Sequence, residues 1–183
     1  MELTGPYLAA CLLLVAAGTA KAVRPADTAR AVAATVPFRL ALVGPVVRVV
    51  AAAEALVGIA GLVRPAPWPA ALVAASYLGF AVFVAAARAR GGPLASCGCF
   101  GTPDTPATRL HVVVDLALAG SAATVAASVP AGWLPSLLAL QPWHGAPLVA
   151  VSLLAASLAY LALGPLAGLG AARRLLGITR GPA

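Results

Sequence analysis

The sequence predicts an all-α, polytopic membrane helix bundle: a four-helix core plus an additional C-terminal transmembrane helix. Three observations carry this prediction. Hydrophobic residues make up 62% of the chain and charged residues only 9%. Ordinary soluble domains are about 25% charged, so this chain cannot cover a water-facing surface. Five segments are apolar enough, at close to the length needed, to cross a hydrocarbon core, which takes about 20 residues as a helix. Proline and glycine punctuate the segment ends, as at Pro45, Pro65, Pro67, Pro130 and Pro147.

The first span is expected over Pro6–Ala22. Its small-residue run Ala17-Gly18-Thr19-Ala20 would permit signal cleavage, but the residues before it hold Glu2 and no Lys or Arg, and Lys21 follows. A retained span fits better than a leader. Along Arg24–Leu40, Ala29, Val32, Ala33 and Val36 share one helical face while Asp27, Thr28, Arg30 and Thr35 lie elsewhere. That pattern predicts a short amphipathic helix in the membrane interface. Further spans are expected over Gly44–Val63, Pro67–Ala87 and Leu110–Val129. A long connection, Pro130–Pro147, carries Trp133 and Trp143 as interfacial anchors, and the last span is expected over Ala146–Leu169. The chain thus divides into a four-helix unit over 1–130 and an addition over 131–183 comprising the connection, the fifth helix and a basic tail.

Charge gives orientation. Lys21, Arg24, Arg30, Arg39 and Arg48 follow the first span; Arg88, Arg90 and Arg109 flank the loop after the third; Arg173, Arg174 and Arg180 lie in the tail. Only Arg64 stands opposite them. The positive-inside rule puts the N-terminus outside and the C-terminus inside a bacterial inner membrane, with the loop holding Cys97 and Cys99 on the cytoplasmic side. The net charge of +7 therefore reports topology. Nucleic acid is not an expected partner, because the few aromatics sit near span ends and are not interleaved with the basic residues.

The residues most suggestive of chemistry are Cys97-Gly98-Cys99-Phe100-Gly101. A thiol pair one residue apart, in a glycine-rich loop near Arg88, Arg90 and Arg109, has a positive field that favours the thiolate. So short a disulfide ring is strained, and strained bridges exchange readily. A structural disulfide or tight turn is the second reading. Metal binding is the third, with Cys97, Cys99, His111 and Asp115 as conceivable ligands whose spacing matches no common zinc module, and no metal is expected. Cys11, inside the first span, reads as a small hydrophobe.

Glu54 falls near the middle of the second span, where a charged carboxylate costs about 2.5–3.5 kcal/mol on insertion scales. It must be protonated, face the interior or find a partner; Lys21 and Arg48 are the basic candidates by depth. An ion pair joining helices and a proton-relay role both remain open. On the fourth span His111 and Asp115 are four residues apart on one face, with Arg109 at the mouth. An Asp-oriented imidazole would accept a thiol proton; a polar helix cap with an interfacial histidine is the equal alternative. His144, on the opposite side, reads as a loop histidine.

Across Ala17–Val129 the chain resembles the MauE branch of the DoxX-like membrane proteins. The resemblance rests on Ala17-Gly18-Thr19-Ala20-Lys21, Glu54-Ala55-Leu56-Val57-Gly58, Ser96-Cys97-Gly98-Cys99-Phe100-Gly101, Arg109-Leu110 and Asp115-Leu116, in that order. It implies a four-helix, redox-associated membrane protein whose marked residues are Lys21, Glu54, Cys97, Cys99, Arg109 and Asp115. It also implies a link to methylamine utilisation, through maturation of the disulfide-rich small subunit of methylamine dehydrogenase. The fifth span is extra, and Leu110 stands where such relatives often carry asparagine.

The expected function is thiol–disulfide exchange in the membrane, as a thiol–disulfide oxidoreductase component with a thioredoxin-like or disulfide-rich protein as partner. Its site is Cys97, Cys99, Arg109, His111 and Asp115, with Lys21, Glu54 and Arg48 as buried polar residues. The alternative is a non-catalytic assembly factor or complex subunit in which the CGCFG turn is structural. A small transporter using Glu54 and Asp115 is a third class, disfavoured because the spans lack paired interrupted helices. No nicotinamide, flavin or haem motif is readable, and a quinone docking between helices would leave no sequence mark.

Overall fold

The structure is a computed structural model that describes residues 4–35, 40–89, 108–128 and 134–163. These form seven α-helices: α1 Thr4–Val23, α2 Pro25–Thr35, α3 Leu40–Val63, α4 Pro67–Ala89, α5 Arg109–Ser128, α6 Leu134–Ala139 and α7 Ala146–Leu163. There is no strand among the described residues. Five of the helices (α1, α3, α4, α5 and α7) are long and apolar enough to cross a membrane. The architecture is the expected polytopic helical bundle.

Local chemistry sets the boundaries. The Arg24 N–H still donates to the Ala20 carbonyl at 2.9 Å, but Pro25 has no N–H to continue the ladder. Proline is well suited to the first position of the next helix, so α2 starts there, with Asp27 in its first turn facing the positive end of the dipole. The turn between α3 and α4 is equally short: Arg64 donates to Ala60 at 2.9 Å, Pro65 breaks the helix, and Ala70 donates back to Ala66 at 3.1 Å. Pro45 lies inside α3, in its second turn, and is exposed.

The core is where α1 meets α4 and α5. Tyr7, Ala10, Cys11 and Leu14 of α1 are fully buried against Ala70, Val73 and Tyr77 of α4 and Ala119, Ala122 and Val125 of α5. Cys11 is thus a packed core side chain. Helix α3 lies antiparallel against α1, since Gly61 faces Tyr7 and Cys11 while Gly18 faces Ala51 and Ala55. Helix α7 is peripheral: Gly5 of α1 lies beside Leu148 and Ser152, and most of its surface is exposed.

One expectation needs amendment. On α2 Ala31 is buried, whereas Ala29, Val32 and Ala33 are only half-buried; Val36 lies outside the described residues. Alanines occur all round this helix, so apolar periodicity defined its buried face poorly. The connection after α5 contains α6 and a 3-10 turn, Pro142–Gly145. Trp143, His144 and Gly145 all have positive φ, at 54°, 50° and 75°, a conformation costing about 1–2 kcal/mol for each non-glycine residue. Gly145 packs tightly on Leu138, where a Cβ would sit 2.5 Å from Leu138 Cδ2. Trp143 is 84% exposed; Trp133 lies outside the described residues, as does the stretch 164–169 expected to complete the last span.

Candidate polar site inside the bundle

The site begins with the missing side chains of α1 and α3. A Cβ on Gly18 would sit 2.7 Å from the Ala51 carbonyl oxygen and 2.7 Å from the Ala55 nitrogen. A Cβ on Gly58 would sit 2.9 Å from the Cys11 carbonyl oxygen. Both glycines are therefore required for backbone contact, the small-residue packing by which membrane helices associate. That approach brings Lys21, one turn after Gly18, onto Glu54, one turn before Gly58. Lys21 Nζ donates to Glu54 Oε2, and the two side chains are only 7% and 11% exposed. Arg48, the other candidate for Glu54, is exposed and instead donates through Nε to the Ala22 carbonyl at 3.2 Å, holding the end of α1 to α3.

Lys21 has a second attachment. Its ammonium lies 4.3 Å from the centre of the Phe80 ring on α4, a cation–π contact strengthened where water is excluded. Phe80 stands edge-on to Tyr77, with centroids 5.7 Å apart and planes at 89°. Tyr77 in turn donates to the Ala10 carbonyl of α1 at 2.7 Å. These two aromatics were not among the residues expected from the sequence. Their available signal was rarity, since the chain has only four Phe and three Tyr, combined with one-turn spacing inside an apolar span.

Helix α5 supplies the other wall. Thr108 is its cap: the Thr108 N–H donates to His111 Nδ1 at 3.3 Å, and Thr108 Oγ1 lies 2.9 Å from the same nitrogen. This is the reciprocal half of a capping box, with histidine at the third helical position in place of the usual Glu or Gln. His111 Nε2 lies 3.0 Å from the carbonyl of Leu163 on α7. A backbone N–H only donates and a carbonyl only accepts. The imidazole is thereby set with Nδ1 accepting and Nε2–H donating. These bonds give the histidine a capping contact, and Thr108 and Leu163 orient its ring. Asp115, four residues on, is also buried, and Arg109 at the helix start is exposed.

These walls line a cavity of about 30 Å³ bordered by Lys21, Tyr77, Phe80, His111, Asp115 and Leu163. A cavity needs at least about 10–15 Å³ to admit a water molecule, so this one accepts a water between charged groups. On the other side of Lys21 an open groove of about 240 Å³ runs past Glu54, Thr28, Val32, Val50 and Phe83. Lys21 is the partition between the two spaces.

The expected site residues therefore fall into three sets. Lys21 and Glu54 are joined directly, and Asp115 and His111 line the chamber that Lys21 also lines. Arg48 and Arg109 stand outside it. Cys97 and Cys99 lie outside the described residues, on the segment that links α4 to α5.

No curated protein and no solved structure matches the chain. The family model described as methylamine utilisation protein MauE matches residues 3–129, well over half of the chain, which therefore belongs to the MauE family.

Proposed function

We propose that this multi-pass MauE-family membrane protein is a thiol–disulfide exchange component in which Cys97 and Cys99 cycle between dithiol and disulfide. The observation that carries the reading is the thiol pair itself, on a segment joined at one end to α4 beside Arg88 and at the other to α5 at Thr108. Lys21 and Asp115 occupy the same end of the bundle as those two attachment points. In the oxidising step the two thiols lose two electrons and two protons to a partner's disulfide, which becomes a dithiol; the reverse step reduces the pair. Arg88 and Arg109 supply positive potential that favours the thiolate, and Asp115 accepts a released proton. His111 holds the start of α5 in register with that carboxylate. Lys21 and Glu54 keep the polar interior closed to lipid.

The same basic residues support an orientation with this end cytoplasmic and the N-terminus outside, in a bacterial inner membrane. A thioredoxin-like donor or a disulfide-rich protein is the partner class. Maturation of the methylamine dehydrogenase small subunit is the member of that class the family description favours, since it names methylamine utilisation.

A second reading has its own support. His111 acts as a cap, and Lys21–Glu54 as a tie between helices, so the polar residues also suit a non-catalytic assembly subunit in which CGCFG is a clasp. The redox state of Cys97 and Cys99 separates the two. Cells carrying Cys11→Ser are acid-quenched and alkylated with a mass-shifting maleimide, with and without prior reduction. A mixed population that follows cellular thiol poise is expected. A pair that stays reduced and fully labelled at every poise would overturn the exchange reading and leave the clasp.

A further inference from the structure

The larger of the two spaces beside Lys21 has a lining that points to a ligand. Four helices build it: Lys21 of α1, Val32 of α2, Val50 and Glu54 of α3, and Phe80 and Phe83 of α4. Its volume is about 240 Å³. Pockets for drug-sized ligands run about 300–1,000 Å³, so this one suits a single substituted ring whose tail stays outside. Val46 and Val50, on its border, are exposed. On a helix that crosses the membrane, exposed valines face lipid, so a ligand reaches the groove from the bilayer.

The polar chemistry sits at one place on this apolar wall. An ammonium has three donors. Glu54 takes one of those of Lys21, and the Phe80 face, 4.3 Å from Nζ, takes up a second direction. The third can meet an acceptor arriving from the groove. The Glu54 carboxylate has lone pairs beyond the one that Lys21 uses, so it can receive a hydroxyl. Together they present a donor and an acceptor side by side, with no net charge between them. Phe80 and Phe83 are three residues apart on α4, which sets two aromatic rings on the same wall. Such rings favour a flat partner.

That chemistry selects among membrane-soluble ligands. A phosphate headgroup would gain Lys21 but be repelled by Glu54, and among the described residues no arginine borders the groove. A bare acyl chain would meet the ammonium with no acceptor, which is costly in hydrocarbon. A neutral ring with carbonyl oxygens meets every feature. We propose that the groove is a binding site for the ring of a prenylated quinone. A ring carbonyl accepts from Lys21 Nζ, the ring lies against Phe80 and Phe83, and the prenyl tail leaves past Val46 and Val50 into lipid. In the reduced form a ring hydroxyl donates to Glu54, so the site takes both quinone and quinol. Binding is independent of the thiol chemistry proposed above and stands whether or not Cys97 and Cys99 exchange electrons.

The test uses the full-length protein purified into quinone-free detergent micelles. The probe is an azido-benzoquinone with a decyl tail, crosslinked by light and located by peptide mass spectrometry. Saturable labelling of α3 or α4 along the groove is expected, displaced by decyl-ubiquinone and by its quinol. Decyl phosphate and decane at the same concentration should not displace it. The double variant Lys21→Met, Glu54→Leu replaces both partners by apolar side chains, which is often neutral for stability. It should weaken probe binding roughly tenfold or more, the loss of a hydrogen bond to a charged group. Val50→Trp should weaken it as much, by filling the groove from an exposed position. Leu153→Trp, in the separate cleft between α1 and α7, should leave it unchanged. Absence of saturable labelling in the unaltered protein would overturn the site, and that arm needs no variant to fold. So would displacement by decyl phosphate, which would make it an anionic-lipid site, or by decane, which would make it an apolar groove only. Unchanged affinity in either groove variant, or an equal loss in Leu153→Trp, would overturn it as well.

Discussion

Two ion pairs, one from Lys21 at the end of α1 and one within the neighbouring helix α2, have opposite meanings. Lys21 and Glu54 join α1 to α3 across 33 residues, with side chains 7% and 11% exposed. Asp27 and Arg30 join successive turns of α2, and the Arg30 side chain is 72% exposed. The contact chemistry is the same, an N–H donor on a carboxylate, but the surroundings decide what each pair does. In hydrocarbon neither Lys21 nor Glu54 has an alternative partner in solvent, so the pair fixes which helices must be neighbours. On α2, water and salt compete for both charges, and the pair adds little to a helix already begun by Pro25. Lys21 also reaches the Phe80 ring, so a single cation connects α1, α3 and α4.

Breaking one half of the inner pair is the most severe way to challenge this contrast. Glu54→Ala or Lys21→Ala strands a charge inside the bundle, and the expected loss is about 3–5 kcal/mol. It would be read as a fall in the thermal midpoint of the detergent-solubilised protein and in membrane abundance. The double variant Lys21→Met, Glu54→Leu should recover most of that loss, because replacing both partners by apolar side chains of similar volume is often neutral. A double variant as unstable as the singles would mean that the pair does not couple the two helices.

The next largest effect should come from residues that touch neither charge. Gly18→Val or Gly58→Val drives a side chain into the facing backbone. Because backbone cannot be moved as cheaply as a side-chain tip, about 1–3 kcal/mol of destabilisation is expected. Gly79 and Gly120 are the matched controls, since nothing lies within 4 Å of a Cβ at either. Changing those to Ala should stabilise by about 0.5–1 kcal/mol through reduced backbone freedom. Equal effects at Gly18 and Gly79 would show that close approach is not what brings Lys21 to Glu54.

How much of this was legible beforehand follows from what each feature depends on. The five membrane helices and the break at Pro65 and Pro67 depend on length, polarity and the missing proline N–H, all local properties, whereas Pro45, read as marking the start of a span, lies inside α3. That Glu54 needs a partner follows from the cost of a charge in hydrocarbon, and Lys21 was one of two candidates. Choosing Lys21 over Arg48 required knowing the close packing of Gly18 on Ala51 and Ala55, which is a relation between distant segments. Tyr77 and Phe80 escaped notice because aromatic residues in an apolar span look like ordinary packing until a cation is seen above one of them. His111 could be read as either a base or a cap. Thr108, three residues before it, was the local clue to the cap, while the bond to Leu163 depended on a helix more than 50 residues away.

A smaller effect sharpens the role of the aromatics around Lys21. Tyr77→Phe removes the hydrogen bond to the Ala10 carbonyl but keeps the ring edge-on to Phe80. The loss should be about 1 kcal/mol, the net value of one buried neutral hydrogen bond. Tyr77→Ala also removes the ring and should cost several-fold more. If the two variants were equally unstable in thermal melts, the hydroxyl rather than the packing would be what holds Phe80 under Lys21.

The smallest effect belongs to the outer pair and is the cleanest check on the contrast. Arg30→Gln keeps a long polar side chain on α2 and deletes one exposed charge. Asp27 retains its place in the first turn, where its carboxylate still meets the positive end of the helix. The expected change is under about 0.5 kcal/mol, as for most surface ion pairs. Ionic strength gives the second half of the measurement. At 1 M salt the screening length falls to about 3 Å, so any difference between wild type and Arg30→Gln should shrink further. The much larger difference between wild type and Glu54→Ala should persist, because the Lys21–Glu54 contact is largely buried between α1 and α3. An Arg30→Gln loss approaching that of Glu54→Ala, and insensitive to salt, would mean that α2 is as shielded from solvent as the interior and that the two pairs are alike.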